Sequence, residues 1–131
     1  PGMKVIKTQA GNWYRDKGQS IMENWLQSGD PIDVVCANND EMALGAINAI
    51  KAANKKLGQG GILVGGVDAT SDALAAMKAG DLAVTVFQDA KGQGAGGVDA
   101  VIKLANGEKV DSYVDIPYQL VTPDNMAKFA S

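Results

Sequence analysis

The sequence contains no histidine and a single cysteine, Cys36, in 131 residues. Without an imidazole there is no neutral-pH general base, His metal ligand or histidine pH switch, so His-dependent catalytic triads and His-built metal sites are excluded. A lone thiol forms neither an intrachain disulfide nor a multi-thiolate zinc site. No apolar run approaches the roughly 20 residues that span a bilayer, and Pro1-Gly2-Met3-Lys4 leads directly into a strand-like segment without a charged n-region or apolar h-region. Neither sign of charge is in large excess. Twelve basic and 15 acidic side chains leave a net charge of -3, so no whole-molecule field attracts nucleic acid or an anionic membrane.

What is present is ordinary globular composition, 46% apolar and 21% charged, in a length that suits one domain. Apolar patterning alternates between strand-like and helical. Residues 3–9 carry β-branched side chains and no breaker; Ile21, Met22, Trp25 and Leu26 then recur at helical spacing until Gly29. Residues 32–37 form a short apolar run, followed by Asp40 and Glu41 in a first turn and Met42, Ala46, Ile50 and Ala53 along one face. Residues 62–67 lead into a short helix with Leu74 and Met77, ended by Gly80, and residues 82–87 read as the next buried strand. Val98, Val101, Ile102 and Ala105 mark a further helix, residues 113–120 an extended segment containing Pro117, and Pro123-Asp124-Asn125 a last turn. This alternation predicts an α/β fold, a parallel sheet with helices on both faces.

In an open α/β sheet, ligands bind beyond the carboxyl ends of the strands. The residues there are Gln9, Asn12 and Trp13, then Asn38, Asn39 and Asp40, then Asp68, then Gln88 and Asp89. Amides donate and accept, and a carboxylate accepts from two hydroxyls, so this set suits a neutral ligand dense in hydroxyl groups. Trp13 offers a ring face for the C–H side of a sugar or cyclitol. Anions fit poorly, since Arg15 is the only cation at these ends. The same residue types also serve as caps and turns: Asn39 is a good N-cap for the following helix, and Asp68 or Thr70 for the next. Both readings stand for the set.

Other signals carry less. Gly92-Gln93-Gly94-Ala95-Gly96-Gly97 satisfies G-x-G-x-x-G, but its first glycine comes five residues after the strand and Asp89 would repel a pyrophosphate, so close helix packing through small residues is expected instead. Ser71 has no nucleophile elbow and no base. The neighbouring acids Asp40 with Glu41 and Asp68 with Asp72 read as helix N-terminal acids. Cys36 is expected to be a small buried hydrophobe within its strand, and Trp25 to be core. No cofactor and no metal are implied.

Ala37-Asn38-Asn39-Asp40-Glu41-Met42-Ala43-Leu44-Gly45, Val64-Gly65-Gly66-Val67-Asp68, Thr85-Val86-Phe87-Gln88 and Ile116-Pro117-Tyr118-Gln119-Leu120-Val121-Thr122 together resemble the periplasmic sugar-binding proteins of the ribose-binding type, within the type I periplasmic binding protein family. The stretch from Phe87 through Gly94 and the closing segment are most similar to members that bind inositol or related sugars. The resemblance implies a two-lobed protein that closes on a monosaccharide or cyclitol and delivers it to the membrane permease of an ABC-type importer. It implies no enzyme, no nucleic acid and a periplasmic location. Trp13 matches the family's stacking aromatic, Asn39 and Asp68 its hydrogen-bonding amide and carboxylate, and Gln88 the glutamine near its hinge.

Family members are about twice as long. The resemblance therefore implies a C-terminal fragment that lacks the other lobe's first half, the first strand and helix of its own lobe, and an arginine that unit normally supplies. Residues 1–88 would be the C-terminal ligand-binding lobe, 89–119 the helix and strand returning to the other lobe, and 120–131 a crossing segment. An unfilled sheet edge makes self-association an expectation. Two further readings remain: a sugar-sensing effector domain of the lactose-repressor type, and, with only carboxylates to act as base, a sugar-processing enzyme.

Overall fold

The computed structural model describes residues 2–130; Pro1 and Ser131, the outermost residues of the expected divisions, lie outside the described residues. The elements follow in the order α1 (Arg15–Gln27), β1 (Val34–Cys36), α2 (Asp40–Ala52), β2 (Leu63–Gly65), α3 (Ser71–Lys78), β3 (Thr85–Phe87), α4 (Ala90–Ala105) and β4 (Gln119–Val121), with a 3-10 turn at Met126–Lys128.

The helices begin where the sequence supplies caps. The Asn39 side chain accepts from the Met42 N–H at the start of α2, Thr70 from Ala73 at α3, and Asp89 from Gly92 at α4, each satisfying an N–H that has no partner within its helix. Strand β1 runs parallel to β2, with Val35 opposite Val64. Strand β4 runs antiparallel to β3, with Phe87 opposite Gln119. Parallel bridges from Gly65 to Val84 and from Asp68 to Phe87 join the two pairs into one layer. The α/β class is as expected, with an antiparallel strand at its end.

A single apolar cluster holds the layer to its helices: Met22 of α1, Leu44, Ile47 and Ile50 of α2, Leu74 and Met77 of α3, and Val35, Val64, Leu82 and Val121. Helices α1 and α2 meet almost backbone to backbone. A Cβ on Gly18 would lie 2.5 Å from the Met42 carbonyl oxygen, and one on Gly45 would run into the Arg15 carbonyl. This close crossing sets the amino ends of both helices beside each other, where the candidate site lies.

The two faces of the β1–β2 pair differ. Val35 and Val64 are buried, whereas Val34, Cys36 and Leu63 are open, so the covering expected on both faces is met here on one. Cys36 is accordingly exposed rather than buried, because the strand period of two puts it with Val34 on the open face. Residues 3–9 do not form the expected strand; Met3 is 94% exposed and Val5 and Ile6 are also exposed. A strand requires a neighbour for its N–H and C=O groups, and among the described residues none pairs with this segment. Its Lys7 instead forms a 2.7 Å ion pair with Asp30.

The Gly92–Gly97 run lies inside α4, not in a strand-to-helix turn. The small-residue packing expected there is realised at Gly96, near Val114 and Ile116, while Gly94 and Gly97 face open space.

Candidate functional site

Asn39 ends the segment after β1 and has little exposure, 9%. Its Oδ1 accepts from the Met42 N–H at 3.0 Å and its Nδ2 donates to the Trp13 carbonyl at 3.1 Å. One amide therefore caps α2 and holds the residue ahead of α1. That grip matters because Asn12 and Trp13 both have positive φ, 51° and 70°, a left-handed conformation that costs about 1–3 kcal/mol per non-glycine residue and persists only when surroundings impose it. The Trp13 side chain is left 63% exposed.

Arg15, two residues on, forms a fork with Glu41, its Nε and Nη2 donating at 2.9 and 2.7 Å, and also donates to Asp72 at 2.9 Å. The first turns of α1, α2 and α3 are thereby tied together. Hydrogen bonding to Glu41 first, and then to Asp72, raises the guanidinium above its ordinary pKa. Read as helix N-terminal acids, Glu41 and Asp72 also neutralise the one cation at these strand ends, so no free charge is left there for an anion.

Asp40 is fully buried. Its Oδ2 accepts from the Thr70 N–H at 2.8 Å, its Oδ1 accepts from the Thr85 hydroxyl at 2.7 Å, and its own N–H donates to the Val67 carbonyl at 2.7 Å. Burial lifts this carboxyl above the usual carboxylate range, opposed by the bonds from Thr70 and Thr85. The group straps the 67–70 loop to the start of α2. Within that loop Asp68 and Ala69 have φ of 121° and 55°, which turns the Asp68 side chain toward the end of β3.

There it meets Gln88, whose Nε2 donates to Asp68 Oδ1 at 2.5 Å. Gln88 Oε1 in turn accepts from the Tyr118 hydroxyl at 3.0 Å. The four residues expected from the sequence thus come together as two pairs, Trp13 with Asn39 and Asp68 with Gln88, and the Asp40 network links the segments that carry them. Asp40 belongs to the strand-end set read from the sequence, but there as a ligand contact or a helix N-terminal acid and not as a buried strap, and Tyr118 was not expected to take part. Asp40 has the signature of any first-turn acid, and Tyr118 reaches Gln88 only through the antiparallel β3–β4 pairing, which no local pattern announces.

Among the described residues the arrangement is open, with Trp13 and Tyr118 exposed. A small cavity, about 70 Å³ and lined in part by Gln9, Asn38, Cys36 and Met42, lies between α1 and β1 and is too small for a monosaccharide. Among the described residues no cluster of potential metal ligands is present. An exposed indole and a fixed amide–carboxylate pair are groups chemically suited to a polyhydroxylated ring.

A family model for the periplasmic binding protein domain matches residues 1–109. A putative rhizopine-binding protein of Rhizobium meliloti is 52% identical over 128 residues, covering 98% of this chain and 41% of that protein. A ribose import binding protein of Haemophilus influenzae is 37% identical over 118 residues, covering 90% of this chain and 39% of that one. Among solved structures, an ABC transporter solute binding protein from Bacillus halodurans with bound myo-inositol superposes with a TM-score of 0.91 at 51% identity, covering 98% of this chain and 44% of that one. A Caulobacter myo-inositol binding protein bound to myo-inositol gives 0.86 at 34% identity, covering 98% and 43%. The chain spans about two fifths of the length of the curated relatives it matches.

Proposed function

The chain belongs to the periplasmic binding protein domain family, and from that premise we propose that it provides part of one lobe of an ABC-importer solute-binding component that takes a monosaccharide or inositol. Trp13, Asn39, Asp68 and Gln88 are its ligand-facing groups. The observation that carries the reading is the Asp68–Gln88 pair, which presents acceptors and a spare N–H, while the Trp13 ring ahead of α1 is left exposed. Such groups satisfy one side of a sugar; a second lobe supplies the other side and excludes water on closure.

On this reading the division at 88, the return of residues 89–119 to the other lobe and the crossing of residues 120–131 are parts of the same proposal. Support comes from α4, which has no buried residue and exposes Val98, Val101, Ile102 and Leu104. The proposed partners are the sugar or cyclitol and the importer's permease, and the proposed place of work is the periplasm. The relatives named above are binding proteins, neither transcription regulators nor enzymes, so the sensor and enzyme readings gain nothing from them. The test is calorimetric titration of the two-lobed protein with myo-inositol, ribose, galactose and allose. Micromolar or tighter binding of one of them is expected, and binding of none would contradict the proposal.

A further inference from the structure

Tyr118 lies one residue before β4 and Gln88 one residue after β3, and the register that pairs Phe87 with Gln119 places them on the next rung. Their bond has a forced direction. Gln88 Nε2 is committed to Asp68, a carboxylate that only accepts, so the amide oxygen must face Tyr118, and the phenol must donate to it. We infer that Tyr118 is a positioning residue for the ligand site: Asp68 sets which way the Gln88 amide faces, and the Tyr118 hydroxyl, by pinning the amide oxygen, holds Gln88 at the place from which it and Asp68 are offered to a bound polyol. This rests on the functional reading above and names how that site selects its ligand.

With the amide held, the valences left for a ligand are the second Gln88 N–H and the Asp68 Oδ2. One donor therefore stands beside one acceptor. Two adjacent hydroxyls match that order, one accepting from Gln88 while its neighbour donates to Asp68. Selectivity for a vicinal diol is thus built from two side chains that touch the ligand, with Tyr118 holding one of them in place.

Tyr118 is itself exposed, so removing its hydroxyl leaves Gln88 Oε1 to water in the empty site and does not disturb the core. In the two-lobed protein, with myo-inositol and its monodeoxy analogues as probes, Tyr118→Phe is expected to lower affinity for myo-inositol about tenfold at unchanged melting temperature. It is also expected to narrow the preference over a monodeoxy analogue. Because Tyr118 acts through Gln88, the loss should vanish in a Gln88→Ala background. Wild-type affinity in Tyr118→Phe, or an equal loss in both backgrounds, would overturn the inference, the second outcome indicating direct contact. If none of the probes binds the wild-type protein, the functional reading fails, and NMR of the 131-residue chain then decides the Tyr118 role alone. Tyr118→Phe should shift the Gln88 side-chain amide signals and raise the mobility of that side chain; unchanged signals would overturn it.

Discussion

Asp40 commits both carboxylate oxygens to the 67–70 loop and β3. Its replacement should therefore be felt as stability. Asp40→Ala leaves a buried N–H and a buried hydroxyl unpaired, an expected loss of about 2–5 kcal/mol, and Asp40→Asn, which faces a donor with a donor, about 1–3 kcal/mol; chemical denaturation measures both. The raised carboxyl adds a pH signature. A carboxyl whose folded pKa exceeds its unfolded value makes the folded state bind more protons, so its contribution is greatest below the unfolded value near 4 and declines as pH rises through the raised one. The stability difference between the wild type and Asp40→Asn should accordingly shrink from acid toward neutral pH, and a difference that grows would show the sign to be wrong. At this scale the sequence singles out Trp13, Asn39, Asp68 and Gln88 because each follows an apolar strand-like run. It does not separate Asp40 from Glu41: adjacent first-turn acids look alike until the fold buries one and gives the other to Arg15.

Among the elements, the α1–α2 crossing determines where the Trp13–Asn39 pair sits. Gly45→Ala would push a methyl group into the Arg15 carbonyl, forcing the helices apart at an expected cost of about 1–3 kcal/mol or more. The test is thermal or denaturant unfolding of the variant; wild-type stability would show that the crossing yields more easily than its geometry implies. Caps and periodicity make α2 and α3 legible, since Asn39, Thr70 and Gly80 mark their ends. Strand β4 is less so. Pro117 announces extended chain, but the antiparallel direction comes from long-range pairing with β3. Residues 3–9 have strand composition and remain unpaired, because propensity records what a side chain favours on a pleated surface, not whether a neighbouring strand is there.

Taken as a whole, the molecule leaves much apolar surface open: Val34 and Leu63 on one sheet face, Met3 and Val5 in the unpaired segment, and the length of α4. Among the described residues β1 pairs with β2 alone, so its other edge offers free N–H and C=O groups of the kind that recruit further strands. The 131-residue chain by itself is therefore expected to self-associate, and sedimentation across a concentration series that shows a monomer throughout would contradict this. The same openness leaves the candidate site a polar and aromatic surface. The central claim is that this surface is one side of a sugar or cyclitol site, with Asp68 as its main acceptor. The most direct measurement is calorimetric titration of the two-lobed protein with myo-inositol and ribose, wild type against Asp68→Ala with Trp13→Ala beside it. For whichever ligand binds, Asp68→Ala is predicted to weaken affinity about tenfold to a hundredfold, whereas unchanged affinity in both variants would contradict the claim.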